Sequence, residues 1–202
     1  IRDLIIDAET GAEKWRVPRA PLHYCSHSLG PLLQLMPDDY IVRCTASGNR
    51  ATIIPHEGDG FIDMQVGLFQ TKNGATIKVC RSSVATRRPA LCTYSVYGTK
   101  GSLESGRKWY DNTGMRYIEG EDEEGVAIEI SSSAKNAPEE AMLGGHGTSE
   151  YYLVRDFLSS IMNDTKPPID IVRALDMSVP GLIAHECAKE GGVWKDIPLF
   201  WR

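Results

Sequence analysis

Phe61-Ile62-Asp63-Met64-Gln65-Val66-Gly67-Leu68-Phe69-Gln70-Thr71-Lys72-Asn73-Gly74-Ala75-Thr76-Ile77-Lys78-Val79 is the stretch on which the fold turns. Ile62, Met64, Val66 and Leu68 fall on one face of a strand, with Asp63, Gln65 and Gly67 among the residues on the other. This period of two belongs to β structure. Asn73-Gly74 supplies the pair that tolerates φ > 0, as a type I′ hairpin turn requires. Ala75, Ile77 and Val79 carry the apolar face of the return strand, with Thr76, Lys78 and Ser82 opposite. Further strands run from Leu91 to Tyr97 and from Gly101 to Glu104, around the turn Gly98-Thr99-Lys100. The pattern predicts an antiparallel meander with one covered face. Polar and apolar residues mix on the other face, which is open to solvent or to a partner subunit.

Helices flank the meander. From Ser26 to Met36 the spacing of Leu29, Leu32, Leu33 and Met36 predicts a short helix, with Ser26 as its cap and Pro37 and Asp38-Asp39 as its stop. Glu150 to Asn163 places Tyr151, Val154, Leu158 and Ile161 on one face, with Phe157 beside them. After Pro167-Pro168, Asp170 caps a last helix through Ile171, Val172, Leu175, Val179, Leu182 and Ile183 that ends at Gly191-Gly192. Pro180 lies inside it and is expected to kink or split it. Val193 to Phe200 reads as a final short strand, Glu119 to Glu124 as a solvated acidic loop, and Ser131 to Pro138 as a polar linker. The fold class expected is α+β, a largely antiparallel open β-sheet with helices packed on one face. Residues 1–20 read as a lead-in segment crossing from something earlier in the gene, and residues 21–202 as the domain proper.

Bulk properties narrow the function. The 202 residues are 42% hydrophobic and 24% charged, with a net charge of −5. That balance argues against a nucleic-acid or anionic-membrane partner, both of which reward a basic surface. No apolar run approaches the ~18 residues that span a bilayer. The five cysteines (Cys25, Cys44, Cys80, Cys92 and Cys187) are odd in number and form no C-x-x-C pair, which fits free thiols in a reducing cytoplasm.

Acid–base groups concentrate in Leu22-His23-Tyr24-Cys25-Ser26-His27-Ser28-Leu29-Gly30-Pro31. Tyr24 and His27 are three residues apart and share a helix face or its first turn, where a phenol and an imidazole can relay a proton. A helix N-terminus favours the neutral imidazole, so His27 is placed as a base. His23 and His27 have zinc spacing, but Tyr24 stands where a metalloprotease helix needs Glu and no third ligand is evident, so no metal is expected. Gly144-Gly145-His146-Gly147 is a flexible loop feeding a helix, where backbone N–H groups can hold an oxyanion and His146 can read a hydroxyl. Gly58-Asp59-Gly60 lacks the third glycine of a dinucleotide fingerprint and precedes a strand, and no phosphate-loop motif or G-x-S-x-G is present.

Taken in order, several segments resemble the C-terminal domain of the glucose–fructose oxidoreductase / inositol dehydrogenase / rhizopine-catabolism family (Gfo/Idh/MocA). They are His23 to Pro31, Tyr97-Gly98-Thr99-Lys100-Gly101-Ser102-Leu103-Glu104, Gly144 to Gly147, Arg155-Asp156-Phe157, and Ser178-Val179-Pro180-Gly181-Leu182-Ile183-Ala184-His185-Glu186. The resemblance implies a dihydrodipicolinate-reductase-like C-terminal domain that supplies the substrate pocket and, through its open sheet face, a homodimer or tetramer contact. It implies a separate N-terminal Rossmann domain that binds NAD or NADP and carries a Glu-Lys-Pro signature. Here Glu13-Lys14 is followed by Trp15, so that pair is a decoy.

The resemblance sets His27 at the family's catalytic histidine. Many members have Asp three residues later, where Gly30 stands here. Tyr24-x-x-His27 followed by Gly30-Pro31 resembles instead the branch with NAD-dependent glycosidases of the α-N-acetylgalactosaminidase type. In that branch Tyr and His are acid–base groups, so Tyr24 and His27 are the candidate catalytic residues, with His146 and His23 as candidate substrate contacts. The partner expected is a sugar or cyclitol. The rival expectation is that this chain alone is a non-catalytic oligomerisation and ligand-binding module. Both readings place the nucleotide outside these residues, so calorimetric titration of NAD into this chain should give no heat of binding. A clear exotherm would contradict the domain assignment.

Overall fold

The structure is a computed structural model that describes residues 20–50, 62–82, 85, 92–106, 113–131, 133–144 and 146–202. The expectations for the lead-in segment before Ala20 and for Gly58-Asp59-Gly60, Phe61, Leu91 and Gly145 lie outside the described residues. In chain order the elements are a 3-10 turn Pro21–Tyr24, α1 (Ser26–Gln34), β1 (Ile41–Arg50), β2 (Ile62–Thr71), β3 (Thr76–Ser82), β4 (Ser95–Gly98), β5 (Gly101–Ser105), β6 (Thr113–Ile118), β7 (Val126–Glu129), a 3-10 turn Glu139–Leu143, α2 (Ser149–Met162), α3 (Ile171–Lys189) and β8 (Lys195–Asp196). The fold is α+β with open antiparallel sheets, as the strand pattern predicts. The strands divide, however, into two four-stranded sheets, β3-β2-β1-β8 and β4-β5-β6-β7. They belong to two compact units, Ile1–Thr86 with Ile169–Arg202, and Arg87–Pro168.

The first unit holds the core. The hairpin β2–β3 forms where the alternation places it, but its turn is not type I′. Gly74 has φ 95°, whereas Asn73 is not among the residues with positive φ. Gly74 N–H donates to Thr71 O at 3.1 Å, and the Thr71 hydroxyl accepts the Ala75 N–H at 2.9 Å. The loop is therefore the three residues Lys72-Asn73-Gly74, with glycine at the single left-handed position. Asn73 N–H also donates to Asp39 Oδ1 at 3.1 Å, which ties the loop to the segment after α1.

Register decides which face is covered. Phe69 pairs with Ile77 and Cys44, and Gly67 pairs with Val79 and Ala46. This face packs beneath α3, α1 and the first 3-10 turn, where Leu22, Leu29, Leu33, Ile41, Cys44, Phe69, Ala184 and Cys187 are buried. Asp63 and Gln65 lie on the same covered face and are fully buried. Met64, Val66 and Leu68 pair with Ser82, Cys80 and Lys78 on the outer face and are exposed. The more apolar face of β2 is thus the outer one.

Asp170 caps α3 as expected, accepting the Arg173 N–H at 2.8 Å. The helix runs unbroken through Pro180, which is buried. The expected Ser26 cap is displaced by one residue. Cys25 stands at the N-cap with helical backbone, because the 3-10 turn feeds directly into α1. Arg173 then closes the other end of α1, donating to Met36 O at 2.9 Å, Asp39 O at 2.7 Å and Leu33 O. These are carbonyls of the kind a helix C-terminus leaves without intrahelical partners. Buried Asp176 sits one turn on and accepts from Trp201 Nε1 at 3.0 Å and from Arg202. The final strand shrinks to Lys195–Asp196, paired with Cys44 and Arg43.

In the second unit, no described residue of β4–β7 is buried. The acidic run is partly folded inward, with Asp122 bonding Arg116 at 2.9 Å and the Ile118 N–H at 2.7 Å. The apolar stripe expected to bury α2 is uncovered, with Val154, Phe157, Leu158 and Ile161 all exposed. Among the described residues, no helix is long and apolar enough to cross a membrane.

One close approach sets the geometry of the first unit. A Cβ at Gly181 would stand 2.3 Å from Leu22 O and 2.5 Å from Cys25 Cβ, so α3 touches the 3-10 turn almost backbone to backbone. Alanine there gains about 1 kcal/mol of helix propensity. Overpacking against a main-chain oxygen costs up to ~3 kcal/mol, so it outweighs that gain. Gly181→Ala should lower the stability of the chain by about 2 kcal/mol, read from the urea midpoint at unchanged m-value. An unchanged or raised midpoint would refute the close approach.

Candidate functional site

The Gly181 contact carries the 3-10 turn and the first turn of α1 across one end of the sheet's covered face. The turn begins at Pro21, whose fixed φ suits a first helical position. Its two leading residues, Pro21 and Leu22, are buried, and the next two, His23 and Tyr24, are exposed. The polar side chains of the motif therefore face outward from an apolar anchor.

Tyr24 and His27 meet as their spacing predicts. The phenol oxygen lies 3.1 Å from His27 Nε2, and the rings stack with centroids 4.1 Å apart. Both residues are exposed. Arg81 of β3 sets its guanidinium 5.1 Å from the centre of the Tyr24 ring and donates to Ser28 Oγ at 3.2 Å, bracing the pair from the sheet. His23 takes another partner. Its ring meets His185 of α3 edge to face, with centroids 4.4 Å apart. Gln65 of β2 completes this side, with Oε1 accepting the Leu22 N–H at 3.0 Å and Nε2 lying 2.9 Å from His185 Nδ1.

Reading the sequence finds His23, Tyr24 and His27 but misses Gln65, Arg81 and His185, and with them Asp63. One signal was available. Phe69 shares the face of Asp63 and Gln65, and a large aromatic there marks that face as covered. Polar residues on a covered face need partners. Gln65 has them, whereas both carboxylate oxygens of Asp63 are buried without a hydrogen bond among the described residues. His146 belongs to the second unit, where its Nδ1 lies 2.7 Å from Glu150 Oε1 and its side chain is 77% exposed. Beside it runs a groove of about 490 Å³, lined by Tyr151, Val154 and Leu158 of α2 and by Glu140, Ala141 and Gly144.

Electrostatics sorts the titratable groups. Burial pushes the Cys25 thiol up to about 12 against the opposing pull of Arg81, so it is no nucleophile at neutral pH. Burial, with His23 second, holds His185 below its ordinary value of 6.5. Burial raises the Asp63 carboxyl above its ordinary 3.8. Among the described residues, no group of three His, Cys, Asp or Glu side chains could hold a metal ion.

Residues 37–202 match the family described as Glycosyl hydrolase 109, C-terminal domain. The match begins after Tyr24 and His27. No curated relative matches the chain in sequence. Solved structures share the fold. The chain is similar to an inositol dehydrogenase homolog from Azotobacter vinelandii complexed with NADH and myo-inositol (21% identity, TM-score 0.56, covering 86% of this chain and 48% of that one). It is similar to an oxidoreductase domain protein from Kribbella flavida (22% identity, TM-score 0.64, covering 86% and 48%). It is also similar to a UDP-N-acetylglucosamine 3-dehydrogenase from Acidithiobacillus ferrooxidans (17% identity, TM-score 0.62, covering 88% and 50%). The chain thus spans about half the length of these proteins.

A histidine held below its unfolded value stabilises the fold fully above that value, and the contribution is lost as pH falls. The urea midpoint should therefore drop between about pH 7 and about pH 5. His185→Asn, whose side-chain oxygen can still accept from Gln65, should flatten part of that drop. An unaltered slope would show that His185 is not held neutral.

Proposed function

Because the chain belongs to the glycosyl hydrolase 109 C-terminal domain family, we propose that it is the substrate-binding and proton-handling half of an NAD(P)-dependent enzyme acting on a hydroxyl of a sugar or cyclitol. The observation that carries this reading is the exposed pair Tyr24–His27, with its phenol 3.1 Å from an imidazole nitrogen at the start of α1. A substrate hydroxyl that docks on this pair can pass its proton to the phenol oxygen as the phenol passes its own to His27 Nε2. The reverse transfer returns a proton to the substrate or to a departing group. Arg81 holds Tyr24 from behind, and His23 and His146 are assigned to further hydroxyls.

Every strand pairing among the described residues is antiparallel, and there is no β-α-β unit among them of the kind that seats a dinucleotide on a helix N-terminus. NAD or NADP is therefore assigned to a further domain of a longer protein, in keeping with the half-length coverage of the similar structures. These residues supply binding, orientation and proton transfer. The family description and the Tyr24-x-x-His27 pattern favour glycoside cleavage as the outcome, with the same pair protonating the departing oxygen. A second reading, a non-catalytic oligomerisation module, draws support from the exposed outer face of Met64, Val66 and Leu68. The reduced thiols suit a cytoplasmic home.

The test is a screen of the full-length protein with NAD against sugars, cyclitols and aryl glycosides, following nicotinamide absorbance and aglycone release together. His27→Ala should abolish turnover, and Tyr24→Phe should lower kcat about 100-fold or more, with NAD affinity unchanged in both. Turnover that survives in His27→Ala would remove this pair from the mechanism.

A further inference from the structure

Gln65 is fully buried, and both ends of its amide are engaged. Its Oε1 faces the Leu22 N–H at 3.0 Å and its Nε2 faces His185 Nδ1 at 2.9 Å. This orientation is dictated by the backbone. A main-chain N–H only donates, so the amide atom opposite Leu22 is the carbonyl oxygen and the atom opposite His185 is the NH2. An NH2 also only donates, so Nδ1 of His185 must accept and carries no proton. The proton of the neutral ring then sits on Nε2. The polarity of one peptide group in the 3-10 turn is thus transmitted through an amide on β2 to an imidazole on α3.

Nε2 of His185 makes no hydrogen bond among the described residues, and the ring is half-buried against His23. The titratable and charged groups acting on it are His23 from the turn, and Glu186 and Lys189 from its own helix. We infer that Gln65 locks His185 as a hydrogen-bond donor through Nε2, making it a ligand-binding residue for an acceptor oxygen of the substrate, hydroxyl or carbonyl, and not a base. This assignment rests on the cluster being a carbohydrate site. It divides the labour among the imidazoles of the first unit, with proton exchange at His27 and one-way donation at His185.

Long-range proton–nitrogen NMR correlation of the 15N-labelled chain reads the tautomer without any ligand. The wild-type ring should show an unprotonated Nδ1 and a protonated Nε2 near pH ~7.5. Gln65→Glu keeps the acceptor for Leu22 but presents an acceptor to Nδ1. His185 should then take a proton on Nδ1 and stay cationic at a pH where the wild-type ring is neutral. A glutamine that merely held the turn in place would leave the His185 signals alone. A protonated Nδ1 in the wild type overturns the inference, as does an unchanged His185 in a folded Gln65→Glu variant. The wild-type spectrum decides even where that variant fails to fold. In the full-length protein, His185→Ala should lower kcat/KM about 5-fold, with the loss lying in KM, the size expected for one neutral hydrogen bond. A loss lying wholly in kcat would count against a binding role. Absence of activity on every sugar and cyclitol would sink the functional reading and leave the tautomer to decide this one.

Discussion

The contact of α3 with the 3-10 turn at Gly181 governs the geometry of the first unit. Leu22 and Cys25 can be buried there only because the helix presents no side chain at that point. With Leu22 seated, its N–H reaches Gln65 across from the turn, and His23 and Tyr24 are forced to the rim. The turn then passes without interruption into α1, so His27 arrives one helical turn from Tyr24. Arg173 of α3 closes the far end of α1 on the Leu33, Met36 and Asp39 carbonyls, and Asp39 ties that end to the β2–β3 loop. Both ends of the segment bearing Tyr24 and His27 are therefore fixed by contacts to its main chain.

The covered face of the sheet is chemically graded. Phe69, Ile77 and Val79 at one end are ordinary core, whereas Gln65 and Asp63 at the other are buried polar groups. Burying such groups costs free energy unless each is hydrogen-bonded. Gln65 is satisfied by the turn and by His185, whereas Asp63 has no hydrogen-bond partner among the described residues. His185 is pushed toward neutrality by the same burial that makes its hydrogen bond to Gln65 strong.

Legibility differed by element for identifiable reasons. The hairpin was readable because alternation and Asn73-Gly74 are local signals, and the Asp170 cap was readable because it acts three residues away. The turn departs from type I′ because the Thr71 hydroxyl, not a second left-handed residue, satisfies the Ala75 N–H. The single meander became two sheets because chain order does not say which strands share a ladder. The apolar stripe of α2 has the same periodicity as a core helix yet is uncovered, since hydrophobic spacing says that a face needs cover and not what covers it.

Tyr24 and His27 were determined by the sequence alone, because a separation of three residues on a turn brings them together whatever the rest of the chain does. So were the antiparallel strand pattern and the capped last helix, which depend on neighbours within a few residues. Only the tertiary structure decided that the less apolar face of β2 is the covered one, and that Gln65 and His185, 120 residues apart, form one hydrogen-bonded unit beneath His23. Period-two alternation defines two faces but not which of them a helix will cover. That choice is made by the summed packing of Leu22, Phe69 and α3, which no local window contains.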